Sequence, residues 1–237
     1  MAQPKAMLGA KWMSEADITA VLAKARSNRE AQKRLLGSLG NKIEIRRAEI
    51  ERSLDRVSPA KRAGTVNEVV GGYCAELKRN TVDKRLAYTR EAQRIAERVA
   101  SVAPHYKSSV QMLARENIGS ERRSRIMEQI KSSGPAELAS LAEYAAAKMD
   151  LELGAALNAR IVDLPRDERP FSAGELADAL VGMKFKTIAG ALAEIERSVL
   201  EALQDDSAFE KGQADPTRKV QIAMMKRREQ PAREYEE

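Results

Sequence analysis

Apolar residues that recur at alternating steps of three and four positions constrain this chain most. One series runs through Tyr88, Ala92, Ile95, Val99 and Val102, and another through Val181, Phe185, Ile188, Leu192, Ile195, Val199 and Leu203. This spacing keeps apolar side chains on one side of an α-helix and is typical of bundles and coiled coils. No stretch alternates apolar and polar residues for long enough to predict a strand. The sequence therefore predicts an all-α fold, an elongated bundle with long coiled-coil-like helices and a C-terminal helical arm.

The composition agrees with helices that pack through small side chains. Hydrophobic residues make up 43% of the 237 residues, but aromatic residues make up only 4%, and alanine is abundant. Sandwiches and barrels depend more on aromatic and β-branched residues. An all-β fold is therefore disfavoured.

Local signals suggest where helices begin. Thr65 with Glu68, and Ser172 with Glu175, have the spacing of a capping box, and Pro135 suits a first helical position. Glycine-containing stretches such as "GSLGN" and "IGS" suggest breaks. The predicted helices lie near residues 15–36, 41–57, 65–103, 105–118, 120–132, 135–163, 172–204 and 216–229.

The two halves of the chain carry opposite net charge. Residues 1–131 hold 27 basic and 15 acidic side chains, whereas residues 132–237 hold 14 and 20. We divide the chain into a basic region 1–131, an acidic helical region 132–204 packed on it, and an extended arm 205–237 with a short helix. Such a chain can stack head to tail, fold back on itself, or present its basic half to a polyanion.

Few residues are available for enzyme or metal chemistry. His105 is the only histidine and Cys74 the only cysteine, so a thiolate zinc cluster and an intrachain disulfide are excluded. No nucleophile elbow or phosphate-binding loop is present. Catalysis by paired carboxylates is not excluded by sequence, but nothing indicates it. We predict no enzyme activity, metal, cofactor or small-molecule substrate.

No apolar run approaches the ~20 residues that a membrane-spanning helix needs. The first residues also lack the long apolar stretch of a secretory signal. We therefore expect a protein without a membrane span, located in the cytoplasm or within an assembled particle.

Basic residues fall into two kinds of stretch. In residues 41–57, acids and bases lie three or four positions apart, which predicts the pairs Glu44–Arg47, Glu49–Arg52 and Arg47–Glu51. Elsewhere basic residues are in excess and could contact phosphate or an acidic protein surface: Lys24, Arg26, Arg29, Lys33, Arg34, Arg122, Arg123 and Arg125. Aromatic residues are not interleaved with them, which removes the stacking mode of single-strand binding. A solvated or protein-facing role is favoured.

The C-terminal segment suggests a docking arm. Asp215 and Pro216 can start a short helix, and the residues predicted to contact another subunit are Val220, Ala223, Met224 and Met225. A helix this short is marginal alone and needs a surface to stabilise it. Methionines suit an adaptable contact of this kind.

These patterns favour a non-catalytic structural or assembly protein that forms homo-oligomers and contacts other protein subunits, such as a virion connector or scaffold. The alternative is a nucleic-acid-associated helical protein that binds through its basic N-terminal half. A third hypothesis is a regulator or chaperone that binds one partner.

Overall fold

A computed structural model describes residues 13–229 of the chain, and these residues contain no β-strand. They form the helices α1 Glu15–Ser53, α2 Pro59–Ala100, α3 Ser109–Arg115, α4 Glu121–Gln129, α5 Pro135–Lys148, α6 Leu151–Asp163, α7 Ala173–Lys211 and α8 Pro216–Glu229. Short 3-10 turns lie at Ala103–Tyr106, Ile130–Ser132 and Arg166–Glu168. The predicted all-α bundle with long helices is confirmed.

The N-terminal helices are longer than predicted. Helix α1 continues through Gly37 and Gly40, where a break was expected. Each glycine costs about 1 kcal/mol in a helix interior, but Leu39 is buried beside them and holds the helix in place. Helix α2 begins at Pro59 rather than at Thr65, whose hydroxyl donates to the Lys61 carbonyl 3.1 Å away inside the helix.

The predicted helix 135–163 is two helices. Met149 adopts a left-handed conformation with φ 52°, which ends α5. The Asp150 carboxylate then accepts a hydrogen bond of 3.1 Å from the Leu153 N–H and caps α6. At the other end, α7 continues to Lys211, past the predicted end at residue 204.

The chain divides into two compact units. The first comprises Met1–Glu15 and Ala100–Leu192, and the second comprises Ala16–Val99 and Ala193–Glu237, each described here within residues 13–229. Both units therefore combine segments that are distant in sequence, whereas the sequence-based division was into three consecutive regions. Helix α7 contributes residues 173–192 to the first unit and residues 193–211 to the second.

In the first unit, α6 packs against α3, α4 and α5. Four of its core side chains are fully buried and apolar, Ala155, Ala156, Leu157 and Ile161, and the buried Asn158 donates to the Val110 carbonyl at 3.4 Å. Gly154 allows α7 to approach closely, because a Cβ at this position would lie 2.1 Å from Leu180 Cδ1. The small residues of α6 thus set a tight helix packing.

In the second unit, α1 and α2 form an antiparallel hairpin, in which Asn28 Nδ2 donates to the Tyr88 carbonyl at 3.0 Å. Residues 193–211 of α7 pack on it through Val199 and Ala202 against Ala92. Lys78 Nζ donates to the Glu210 carbonyl at 2.8 Å, one residue before α7 ends. The hairpin beyond this level, residues 43–74, is called the distal hairpin.

The distal hairpin has a small core of its own. Ile50, Val66 and Val70 are buried, and the partly buried residues around them are Ile43, Leu54 and Cys74. None of the helices in the part of the chain that the structure describes is long and apolar enough to cross a membrane.

Candidate interaction surfaces

Arg29, one of the predicted contact residues, lies inside the second unit. It is only 7% exposed. Its guanidinium bonds to the Asp205 carboxylate, lies 3.6 Å from Glu201 Oε2 and donates to Gln32 Oε1 at 3.2 Å. These contacts hold α7 on the hairpin, so Arg29 is not available to an outside partner.

A second buried arginine, Arg85, was not predicted as a functional residue. It is 3% exposed and donates to Asp206 Oδ1 at 2.9 Å and to Glu210 Oε2 at 2.5 Å. Its guanidinium also lies 5.0 Å from the centre of the Phe209 ring, a cation–π contact. The sequence holds a signal for it, because Arg85 lies seven positions before Ala92 in the apolar series of α2.

Two more of the predicted contact residues are engaged within the second unit. Arg26 pairs with both carboxylate oxygens of Glu194 at 2.6 and 2.7 Å, and this hydrogen bonding lowers the pKa of Glu194. Lys24 Nζ lies 2.6 Å from Glu91 Oε1 and lowers the pKa of Glu91 in the same way. The basic excess of α1 is therefore largely balanced by carboxylates of α2 and α7.

Lys33 and Arg34 differ from these residues. Both are exposed, and neither forms an ion pair with another residue in the described part of the chain. Burial acts to raise the pKa of Glu201, but the hydrogen bond from Lys226 and the charges of Arg29 and Lys33 lower it. Lys33 thus contributes to the positive surroundings of one carboxylate while remaining open to solvent.

The second predicted basic group lies in the first unit and is also paired. Arg122 donates to Glu152 Oε2 at 2.7 Å and bonds to Asp150, and Ser120 Oγ donates to Glu152 Oε1 at 2.6 Å. The hydrogen bonds from Ser120 and Arg122 lower the pKa of Glu152. These bonds hold the start of α4 against the start of α6.

The neighbours of Arg122, which are Arg123 and Arg125, also have partners within the first unit. Arg123 Nη1 donates to the Glu116 carbonyl at 2.7 Å, and Arg125 pairs with Glu121 one turn earlier in α4. All three arginines of this group therefore stabilise local structure, and Arg122 and Arg125 remain more than half exposed as side chains.

The charges of residues 41–57 pair differently from the prediction. Arg46 lies 3.1 Å from Glu49. In this described stretch none of the pairs Glu44–Arg47, Glu49–Arg52 and Arg47–Glu51 forms an ion pair. Helical spacing brings such side chains near one another, but it does not determine their rotamers, so the three predicted pairs are wrong.

Helix α8 has two apolar sides. Ile222 is 9% exposed, and Lys226 Nζ lies 2.9 Å from Glu201 Oε1 on the side that packs on the second unit. At the start of α8, Gln204 Nε2 donates to the Asp215 carbonyl at 3.2 Å. The predicted docking residues Val220 and Met224 are 58% and 55% exposed.

The other two predicted docking residues, Ala223 and Met225, differ in exposure. Ala223 is exposed together with Val220 and Met224, whereas Met225 is half-buried. Val220, Ala223 and Met224 thus form one exposed stripe, the outer stripe of α8.

Within residues 13–229, no three or more His, Cys, Asp and Glu side chains are grouped to hold a metal ion. Four acidic side chains in the second half of α7 contact arginines instead: Glu194, Asp205, Asp206 and Glu210. His105 accepts a hydrogen bond at its carbonyl from Arg115 Nη1 at 3.1 Å, and the same nitrogen contacts its ring Nδ1.

The chain matches no protein-family model, no curated protein and no solved structure. The function must therefore be inferred from the arrangement of its own residues.

Proposed function

We propose that this protein is a non-catalytic structural or assembly protein, a homo-oligomerising helical subunit of a larger complex. A cytoplasmic particle or a virion, in which it would serve as a connector or scaffold, fits this role. The observation that carries the proposal is the outer stripe of α8, whose two large side chains remain more than half exposed.

Helix α8 is short. It has 14 residues, and isolated helices of this length are marginal in water. Its inner side is held by Ile222, the Lys226–Glu201 ion pair and the cap at Asp215. Its outer stripe has the i, i+3, i+4 spacing by which an amphipathic helix docks into a groove. A helix with apolar residues on both sides can therefore join its own unit to a second copy.

The proposal is tested by the mass of the full chain in solution. We expect sedimentation to give a multiple of the single-chain mass, and Val220→Ser with Met224→Ser to lower it by removing the apolar contact. Met183→Ser is the matched control, because Met183 is a 78% exposed methionine of the first unit. A single-chain mass at all concentrations, or an unchanged mass in the double variant, would contradict the proposal.

Nucleic-acid binding through the basic half has less support. Six of the eight predicted contact residues bond to groups of the chain itself, which leaves Lys33 and Arg34 open. Retention of the full chain on a polyanion column tests this alternative. If retention is steeply salt-dependent and is lost in Lys33→Gln with Arg34→Gln, nucleic-acid binding becomes the better hypothesis.

A further inference from the structure

A cavity of about 300 Å³ lies in the distal hairpin, near the turn between α1 and α2. Residues of both helices line it: Arg47, Glu51, Pro59, Arg62, Ala63, Val66 and Asn67. All of them belong to the second unit. Its volume is at the lower end of the range for small-molecule sites.

The cavity brings together one arginine from each helix. Arg62 is held in place from the turn, where its Nη2 bonds to the Asp55 carbonyl and lies 3.1 Å from Asp55 Oδ1. Arg47 is half-buried and forms no ion pair with another described residue, although Glu51 follows it by one turn. One guanidinium is therefore fixed, and the other has charge available for a ligand.

The rest of the lining is largely apolar. Val66 is 4% exposed and belongs to the core of the distal hairpin, and Pro59 and Ala63 lie beside it in the first turns of α2. The Asn67 amide adds one neutral polar group. The guanidinium of Arg47, beside that of Arg62, which Asp55 already pairs, and next to an apolar wall, suits a ligand that carries an anionic head on an apolar body.

We propose that this cavity binds a small organic carboxylate. Its carboxylate group pairs with the guanidinium groups of Arg47 and Arg62, the planar donors that match carboxylate geometry. Its apolar part lies against Pro59 and Ala63, the exposed apolar residues of the lining. This site is independent of the proposed role in assembly, because it lies on the distal hairpin and not on α8.

Substitution of Glu51 tests the proposal, because it should change the ligand affinity in the opposite direction to substitution of Arg47. Its carboxylate lines the same cavity and has the same charge as the ligand, so it weakens binding. Glu51→Gln is therefore expected to raise the affinity, whereas Arg47→Gln is expected to lower it. The two positions lie one helical turn apart, so a general loss of helix structure would not produce opposite effects.

The experiment is an NMR titration of the full chain with hexanoate, and with inorganic phosphate in a parallel arm. We expect saturable shifts at the Ala63 and Val66 amides, about tenfold weaker binding in Arg47→Gln, and about threefold tighter binding in Glu51→Gln. Arg46→Gln is the control, because it removes the same charge from the neighbouring position but lies outside the cavity and pairs with Glu49.

Three results would overturn the proposal. The first is the absence of saturable shifts with hexanoate. The second is an equal loss of affinity in Arg46→Gln and Arg47→Gln, which would indicate only the general positive charge of the helix. The third is phosphate binding as tight as hexanoate binding, which would mean that the apolar wall contributes nothing.

Discussion

The interiors of the two units contain side chains of different chemical character. In the first unit, the centre of α6 is uncharged and mainly apolar, with Ala155, Ala156 and Leu157 fully buried beside one neutral polar residue, Asn158. In the second unit, the layer between the hairpin and α7 contains Arg29 and Arg85 at 7% and 3% exposure. One interior is held by close packing, and the other is held in part by charge.

This difference has energetic consequences. Apolar contacts are non-directional, and their strength follows the area and fit of the buried surface. A buried ion pair gains little over an apolar pair, but it becomes costly when one partner is lost. The interior of the second unit should therefore respond to changes of charge, and the interior of the first mainly to changes of volume.

Removal of a buried arginine is expected to have the largest effect. Arg85→Leu leaves Asp206, whose side chain is only 17% exposed, without its cation, and should lower the free energy of unfolding of the second unit by about 3–5 kcal/mol. Native-state hydrogen exchange of residues 16–99 measures the change. The control is Arg94→Leu on the same helix, where an exposed pair with Glu91 should cost below about 1 kcal/mol. Equal losses would mean that the burial of Arg85 has no effect, and would contradict the charged-interior account of the second unit.

The next largest loss of stability is expected from truncation of the apolar core of the first unit. Leu157→Ala should destabilise the first unit by about 2–5 kcal/mol, because it removes a fully buried side chain and leaves a cavity. The loss should be the same at pH 7 and pH 5. Urea unfolding measures it, and Val162→Ala, at a position that is 49% exposed, is the control. A loss that depends on pH would contradict the apolar account of this unit.

Overpacking of the same core should have a smaller effect. In Gly154→Ala the new methyl meets Leu180 Cδ1, the end of a side chain that can move, so we expect a loss of about 1–3 kcal/mol. A further Leu180→Ala substitution should cost less in this background than in the wild type. Gly190→Ala, in a helix with open space around it, should instead stabilise by about 0.5–1 kcal/mol. Equal effects at both glycines would refute the close approach.

The smallest effect on stability is expected from the protonation of a single carboxylate, that of Glu201, at acidic pH. The pKa of Glu201 is lowered from its ordinary 4.5, so its contribution to stability is complete above 4.5 and is lost as the pH falls through the lowered value. Amide signals of residues 193–211 should therefore weaken below pH 4.5 before those of α5, whose carboxylates form no ion pair with another described residue. Glu201→Gln should reduce the difference, and simultaneous loss in both units would argue against it.

Much of the fold follows from the sequence. Val102, Ile188 and Ile195, predicted from the spacing of apolar residues, are at most 1% exposed. The predicted starts of α7 and α8 are also confirmed. Glu175 accepts a 3.0 Å hydrogen bond from the Ser172 N–H, and Asp215 accepts one of 3.0 Å from the Thr217 N–H. These features are local, so a few neighbouring residues determine them.

The charged interior could not be predicted from local spacing. Arg26 and Glu194 lie 168 positions apart, and Arg29 and Asp205 lie 176 apart. The apolar series do contain a signal when each is extended by seven positions. Asp206 lies seven positions after Val199, just as Arg85 lies seven before Ala92. Two charges of opposite sign thus occupy positions that continue apolar seams. Of the arrangements expected for oppositely charged segments, the second unit folds its acidic segment back onto its basic one.

The second unit combines segments that are distant in sequence, so its interacting residues are synthesised at different times. Arg29 and Arg85 leave the ribosome early, but Asp205, Asp206 and Glu210 follow more than 100 residues after Arg85. At about 5–20 residues per second, the delay is on the order of ten seconds. During that interval the nascent hairpin carries two uncompensated cations on a surface destined for its interior. The unit can close only after the first unit's residues have been translated.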